Sequence, residues 1–155
     1  SAYQRFPNWI NILLQKMRCL DILKDFNPDQ CTINEYKPGI GISSHIDTHS
    51  SFSDTIVSFS LGSSTVMKFI NKNNELKQYI YLPERSLLVI KGEARYCYSH
   101  GISWRKTDCD PNGNIIKRND RISVTLREIK KTDCNCSWSH LCDSQDGILK
   151  TTRIK

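Results

Sequence analysis

RISVTLREI, residues 121–129, alternates polar and apolar side chains with a period of two. A strand sends successive side chains to opposite faces, so Arg121, Ser123, Thr125 and Arg127 share one face and Ile122, Val124 and Leu126 the other. Two arginines six residues apart, with hydroxyls between them, make an unusual core strand and a sensible anion cradle. Fixed guanidinium groups grip carboxylates through forked, charge-assisted hydrogen bonds that lysine cannot supply. The bland alternative pairs both arginines with acidic neighbours at a sheet edge.

Upstream of this strand lie further short segments of β character: CTINEY (31–36), DTIVSFSLG (54–62), STVMKFI (64–70), KQYIYLP (77–83), RSLLVIKG (85–92) and ARYCYSHGIS (94–103). Turn chemistry such as NKNNE (71–75) and DPNGN (110–114) separates them. Before them, Trp9, Ile10, Leu13, Leu14, Met17, Leu20 and Leu23 recur at three- and four-residue spacing, which predicts an amphipathic helix over 7–26. One helix followed by seven or eight short strands predicts a mainly β protein, a double-sheet jelly roll with an N-terminal packing helix. The expected organisation is a single domain over 1–155, with the jelly-roll core at 31–130 and an irregular, cysteine-rich, metal-pinned tail at 133–145.

Composition sets the limits on function. With 155 residues, 38% hydrophobic and 25% charged, the chain is long enough for a real core, and no apolar run approaches the roughly 18 residues of a membrane helix. No membrane role is expected. The start of the chain lacks the pattern of a secretory leader, and seven cysteines, an odd number, favour free thiols or metal ligands in a reducing compartment over a disulfide framework. A cytoplasmic or nuclear location and a monomeric state are the expectations. Residues 1–84 hold 8 Lys and Arg against 8 Asp and Glu, and residues 85–155 hold 14 against 8, so the net charge of +6 lies in the second part. That favours an anionic partner, nucleic acid among them.

NEYKPGIGISSHIDTHS, residues 34–50, places an amide, a phenol, two histidines and an aspartate within one short span. If this segment is extended, His45 and Asp47 point to one side, as do Asn34 and Tyr36. A helical zinc site would need histidines four apart, and the glycines and proline before His45 oppose a helix. His100 is the other histidine within an expected strand, with 52 residues between it and Asp47. Two histidines and a carboxylate on one side of a metal leave its opposite positions open, the arrangement of non-haem Fe(II) oxygenases. Hydrogen-bonded or surface histidines remain the plain alternative for these three residues alone. CNCSWSHLC (134–142) brings Cys134, Cys136 and Cys142 close together, which suits a closed tetrahedral zinc site. His140 and His49 both stand as its fourth ligand. Cys19, Cys31, Cys97 and Cys109 read as core or surface residues, and Trp9, Tyr79, Tyr81, Tyr96 and Tyr98 as packing.

Taken together, NEY, HID, the distal His100 and RISVTLR resemble the AlkB-type Fe(II) and 2-oxoglutarate dioxygenases. The resemblance is closer still to that family's tRNA wobble-uridine hydroxylases, through NEYKPGIGISSHIDTHSSFSDTIVSFSLGS, LPERSLLVIKGEARYCYSHGI and CNCSWSHLCDSQ, and it covers roughly Pro28 to Gln145. It implies His45, Asp47 and His100 as iron ligands, Arg121 and Arg127 on the 2-oxoglutarate carboxylates, Asn34, Tyr36 and Thr125 as further co-substrate contacts, and His49 over His140 as the fourth zinc ligand. It implies O2 as co-substrate, a tRNA anticodon loop as partner, and hydroxylation of 5-methoxycarbonylmethyluridine. An RNA-recognition module and a tRNA methyltransferase, fused or separate, would accompany such a domain. Ser123 departs from the family, where asparagine is common, and the long N-terminal region that forms a nucleotide lid is not seen in this sequence. An N-methyl nucleobase demethylase and a non-catalytic RNA-binding jelly roll are the alternatives.

Overall fold

A computed structural model describes residues 6–145. Two four-stranded antiparallel sheets face each other. The first has the order β1 (Gln30–Tyr36), β10 (Arg121–Ile129), β3 (Phe52–Leu61), β6 (Ser86–Ile90). The second has β2 (Ile42–His45), β7 (Tyr98–Ile102), β4 (Thr65–Asn71), β5 (Lys77–Leu82). A small hairpin, β8 (Thr107–Cys109) with β9 (Ile115–Lys117), turns at DPNGN. This is the mainly β jelly roll that the strand series predicts.

Its sheets bury two layers. Val57 and Phe59 of β3 and Val124 and Leu126 of β10 point outward and pack under the N-terminal helix through Ile10, Met17, Leu23 and Phe26. Between the sheets, Ile56, Met67, Phe69, Leu82, Ile90 and Ile102 form the second core. The alternation in β10 therefore resolves as expected, apolar side to the helix and polar side to the space between the sheets.

The helix is shorter than its periodicity predicts. α1 spans Asn8–Arg18, and a 3-10 turn at Asp21–Leu23 follows. Beyond Met17, Leu20, Leu23 and Phe26 recur at every third position, with Ile22 exposed between them. That spacing suits a tighter winding better than a 3.6-residue turn. Leu20 takes an extended backbone conformation, and after it Leu23 and Phe26 return to the core.

Two further expectations need correction. ARYCYSHGIS is not a strand throughout, because Gly92, with φ of +56°, turns the chain into a one-turn helix, α2 (Glu93–Tyr96), before β7 begins. Trp9 and Tyr79 are 44% and 61% exposed rather than packed, whereas Tyr96 is buried.

Candidate active site and cysteine cluster

Three adjacent strands of the first sheet build a polar wall. In β10, Arg121, Ser123, Thr125 and Arg127 stand opposite Tyr36, Asn34, Thr32 and Gln30 of β1 on one flank. Ser123, Thr125 and Arg127 stand opposite Ser60, Ser58 and Ile56 of β3 on the other. Thr125 Oγ1 donates to Ser58 Oγ at 3.3 Å. This wall lines a narrow cavity of about 50 Å³ that Asn34, Tyr36, His45, His100, Arg121 and Arg127 also border.

Arg121 is 3% exposed. Its Nε donates to Ser60 Oγ at 2.7 Å, and its guanidinium lies 5.3 Å from the centre of the Tyr36 ring. Neither Nη1 nor Nη2 has a hydrogen-bond partner among the described residues. A buried cation with unsatisfied donors is costly, and an anion in the cavity removes that cost. Burial holds its pKa below the ordinary arginine value.

His45 and His100 are cross-strand partners in β2 and β7, with ring centres 4.7 Å apart. His45 Nδ1 lies 2.9 Å from Ser43 O. A carbonyl only accepts, so Nδ1 carries the proton and Nε2 keeps its lone pair for a ligand. His45 Nε2 is 3.9 Å from Asp47 Oδ1. The expected juxtaposition is present, but its cause differs from strand alternation: β2 ends at His45, and Asp47 lies in the loop beyond it. Arg127 forks onto Asp47, with Nε to Oδ2 at 3.3 Å and Nη2 to Oδ1 at 3.2 Å, while its Nη1 reaches Gln30 Oε1 and Thr32 Oγ1. Burial pushes the His100 imidazole down to about 4, with His45, Arg127 and Arg95 adding to the effect against the attraction of Asp47. His100 is thus neutral at neutral pH, the form in which imidazole binds metal.

The cysteine-rich tail forms a second cluster. Ligand atoms of His49, Cys136 and Cys142 all lie within 4.8 Å of one another. Cys136 Sγ is 3.5 Å from His49 Nδ1. Cys134 lies outside this trio, accepting from Lys130 Nζ at 3.2 Å, although it is close enough to Cys136 to raise that thiol's pKa. His140 is turned away, its Nε2 2.9 Å from Asn73 Oδ1. Burial raises the Cys136 thiol to about 11, with Cys134 and Cys142 adding to the rise. Burial also raises Cys142, but hydrogen bonds from Ser144 and Gln145 outweigh it and bring that thiol down to about 7. Trp138 stacks on Tyr96 at 4.9 Å, and Asp143 accepts from the Ser50 backbone N–H and hydroxyl, so the tail is seated against the loop that carries Asp47 and His49.

Ser58, Ser60, Gln30 and Thr32 escaped the sequence reading. The first two alternate with Val57 and Phe59, the same period-two signal that marked β10.

Residues 1–127 match the 2OG-Fe(II) oxygenase superfamily. Over 154 residues the chain is 44% identical to the mouse tRNA (carboxymethyluridine(34)-5-O)-methyltransferase ALKBH8, an alignment that takes in 90% of this chain and 23% of the mouse protein. It is 39% identical to the alkylated DNA repair protein ALKBH8 homolog of Arabidopsis thaliana, across 79% of this chain and 40% of that protein. The chain thus spans less than half the length of either relative. Among solved structures, OsALKBH1 superposes with a TM-score of 0.52 at 24% identity, covering 66% of this chain and 49% of that one, a likeness of fold.

Proposed function

The chain belongs to the 2OG-Fe(II) oxygenase superfamily, and from that membership we propose that it hydroxylates 5-methoxycarbonylmethyluridine at the wobble position of the tRNA anticodon loop. The observation that carries the choice of substrate is the 44% identity to a protein whose name assigns it a methyl transfer onto carboxymethyluridine 34. The product of that transfer bears the methoxycarbonylmethyl group that this oxygenase would receive. A methyltransferase and an RNA-recognition module, as fused domains or as partners, complete the proposal.

In this reading His45, Asp47 and His100 hold Fe(II), and Arg121 and Arg127 hold the two carboxylates of 2-oxoglutarate. The donor set fits: two imidazoles, one with its lone pair freed by the Ser43 carbonyl and one neutral through burial, beside a carboxylate. The orphaned Nη groups of Arg121 fit a carboxylate at the far end of the cavity, with Asn34, Tyr36 and Thr125 offering further hydrogen bonds. Iron and 2-oxoglutarate together supply the means to insert one O2-derived oxygen into a substrate C–H bond, with succinate and CO2 as co-products. The protein's own part is geometric. β10 fixes both guanidinium groups on one face, Ser60 locks the Arg121 head, and the apolar residues Ile56, Met67 and Ile90 keep water from the remainder of the cavity.

His49, Cys136 and Cys142, joined by Cys134, are proposed to hold zinc as a structural centre, since a histidine and thiolates gathered at one point are the ligand set of closed tetrahedral sites.

Mass spectrometry of tRNA nucleosides before and after incubation with Fe(II), 2-oxoglutarate and ascorbate tests the activity. The expected result is conversion of methoxycarbonylmethyluridine to its hydroxylated form with equimolar succinate. Formaldehyde release from N-methylated bases, with the wobble uridine untouched, would replace this reading with a demethylase. RNA binding without succinate would replace it with a binding module.

A further inference from the structure

Arg95 is 2% exposed, yet no carboxylate accepts a hydrogen bond from it among the described residues. Its donors go to backbone carbonyls instead: Nη1 to Asp47 O at 2.6 Å, Nη2 to Thr48 O at 3.0 Å and Phe52 O at 3.3 Å, and Nε to Ser53 O at 3.4 Å. All four carbonyls belong to the loop between β2 and β3 and the first residues of β3. A buried cation without an ion-pair partner is expensive, so the site must return that cost through the order it imposes.

The position of these carbonyls explains what is ordered. β2 ends at His45, two residues before Asp47, and β6 joins β3 only from Ile56 onward. From Asp47 to Ser53 the chain therefore lacks a strand partner from β6 or β7, and the planar guanidinium stands where a neighbouring strand would have supplied N–H groups. Arg95 also sits on α2, five residues before His100, and α2 enters through Gly92, whose N–H donates to Asp54 Oδ1 at 2.9 Å. One side chain thus ties the Asp47 loop to the segment that carries His100.

We propose that Arg95 is a positioning residue for the metal site: by holding the Asp47 carbonyl from behind, it fixes where the Asp47 side chain meets His45. The inference rests on the assignment of Asp47 as a metal ligand. Lysine cannot reproduce it, since an ammonium has no planar fork to span carbonyls of residues 47, 48, 52 and 53.

The test is a Co(II) titration of the full chain, followed by the visible d–d spectrum, with folding monitored by circular dichroism. Outer contacts to metal ligands are typically worth 10- to 100-fold in affinity, so Arg95→Lys is expected to weaken Co(II) binding about 10- to 100-fold and to alter the spectrum while the chain stays folded. In an Asp47→Ala background, titrated to millimolar Co(II) so that the residual affinity of the two histidines is read, the same substitution should cost nothing further, because its effect runs through Asp47. An unchanged affinity and spectrum in folded Arg95→Lys would overturn the proposal, as would an equal additional loss in the Asp47→Ala background. Arg95→Gln, which keeps an NH2 donor and sheds the buried charge, provides a second variant; failure of both to fold would reduce Arg95 to a purely structural role. If Asp47→Ala alone leaves Co(II) affinity intact, the ligand assignment fails rather than the role of Arg95.

Discussion

Arg127 and Asp47 meet through a double hydrogen bond at 3.3 Å and 3.2 Å, with both side chains largely buried. The pair balances the charge of the Asp47 carboxylate and aims its two oxygens with a planar fork, which suits the role of metal ligand proposed for it. Asp47→Ala should therefore abolish Fe(II) retention and turnover. It should also lower stability by about 1–3 kcal/mol, since Arg127 loses a charged partner but keeps Gln30 and Thr32. Metal content by elemental analysis alongside urea denaturation checks both parts. Hydroxylation by a metal-replete Asp47→Ala protein would remove Asp47 from the ligand set.

Arg121→Lys should raise the 2-oxoglutarate concentration needed for half-maximal rate by roughly 10- to 100-fold, the worth of a lost charged hydrogen bond of about 1.5–3 kcal/mol. Lysine keeps the charge and loses both the fork and the Nε bond to Ser60. Affinity for tRNA should stay within about twofold, because Arg121 is buried at the cavity wall. The opposite pattern, weaker RNA binding with an unchanged co-substrate titration, would relocate the arginine to the nucleic-acid interface.

The bounds of β10 were legible to the residue, because a strand between a helix and a polar cavity must alternate strictly. His45 and Asp47 were legible as a pair, but the reason differed: a loop held by Arg95 performs what strand alternation was expected to do. Arg95 itself leaves no trace in the sequence, for its partners are backbone carbonyls 42 to 48 residues away, and every residue type carries those. Asp108 was equally hidden, since ion pairs across a short hairpin impose no periodicity.

That ion pair gives a stability prediction. Arg118 donates to Asp108 through Nε and Nη2, Arg105 adds a bond through Nε, and the Thr65 hydroxyl and Val66 N–H complete the set, which ties the β8–β9 hairpin to β4. Burial raises the Asp108 pKa, but the two arginines outweigh it and hold the carboxyl below its ordinary value. Asp108→Ala leaves Arg118 buried without its counter-charge and should cost about 3–5 kcal/mol. Urea denaturation measures it, and a loss under 1 kcal/mol would show that solvent reaches Arg118.

Acid should destabilise the metal-free protein through His100. Its folded pKa, about 4, lies below the ordinary value of 6.5, so the unfolded chain takes up a proton first as pH falls. This contribution is fully present above pH 6.5 and is lost progressively toward pH 4. His49, also lowered by burial, acts in the same direction. Denaturation midpoints at pH 7, 6 and 5 should fall in order, and His100→Asn should flatten the slope. An equally steep slope in that variant would place the acid sensitivity elsewhere.

The tail gives the last prediction. His49, Cys136 and Cys142 gather at one point, Cys134 stands beside Cys136, and His140 is bonded to Asn73 instead. If these four hold a structural zinc, purified protein should carry about one zinc per chain, distinct from the iron, because a closed tetrahedral site is filled on folding. Cys136→Ser should lose that zinc and several degrees of melting temperature, and His49→Ala should do likewise. His140→Ala should retain the metal and shift the melting temperature little. The two thiols lie on opposite sides of their ordinary range, Cys142 at about 7 and Cys136 at about 11, so metal must displace a proton from Cys136 and zinc affinity should fall as pH drops. Competition with a chromophoric chelator across pH 6 to 8 follows that release. Zinc retained in His49→Ala but lost in His140→Ala would exchange the two histidines, and normal stability after Cys136→Ser with no zinc in the parent would leave the cluster as plain packed thiols.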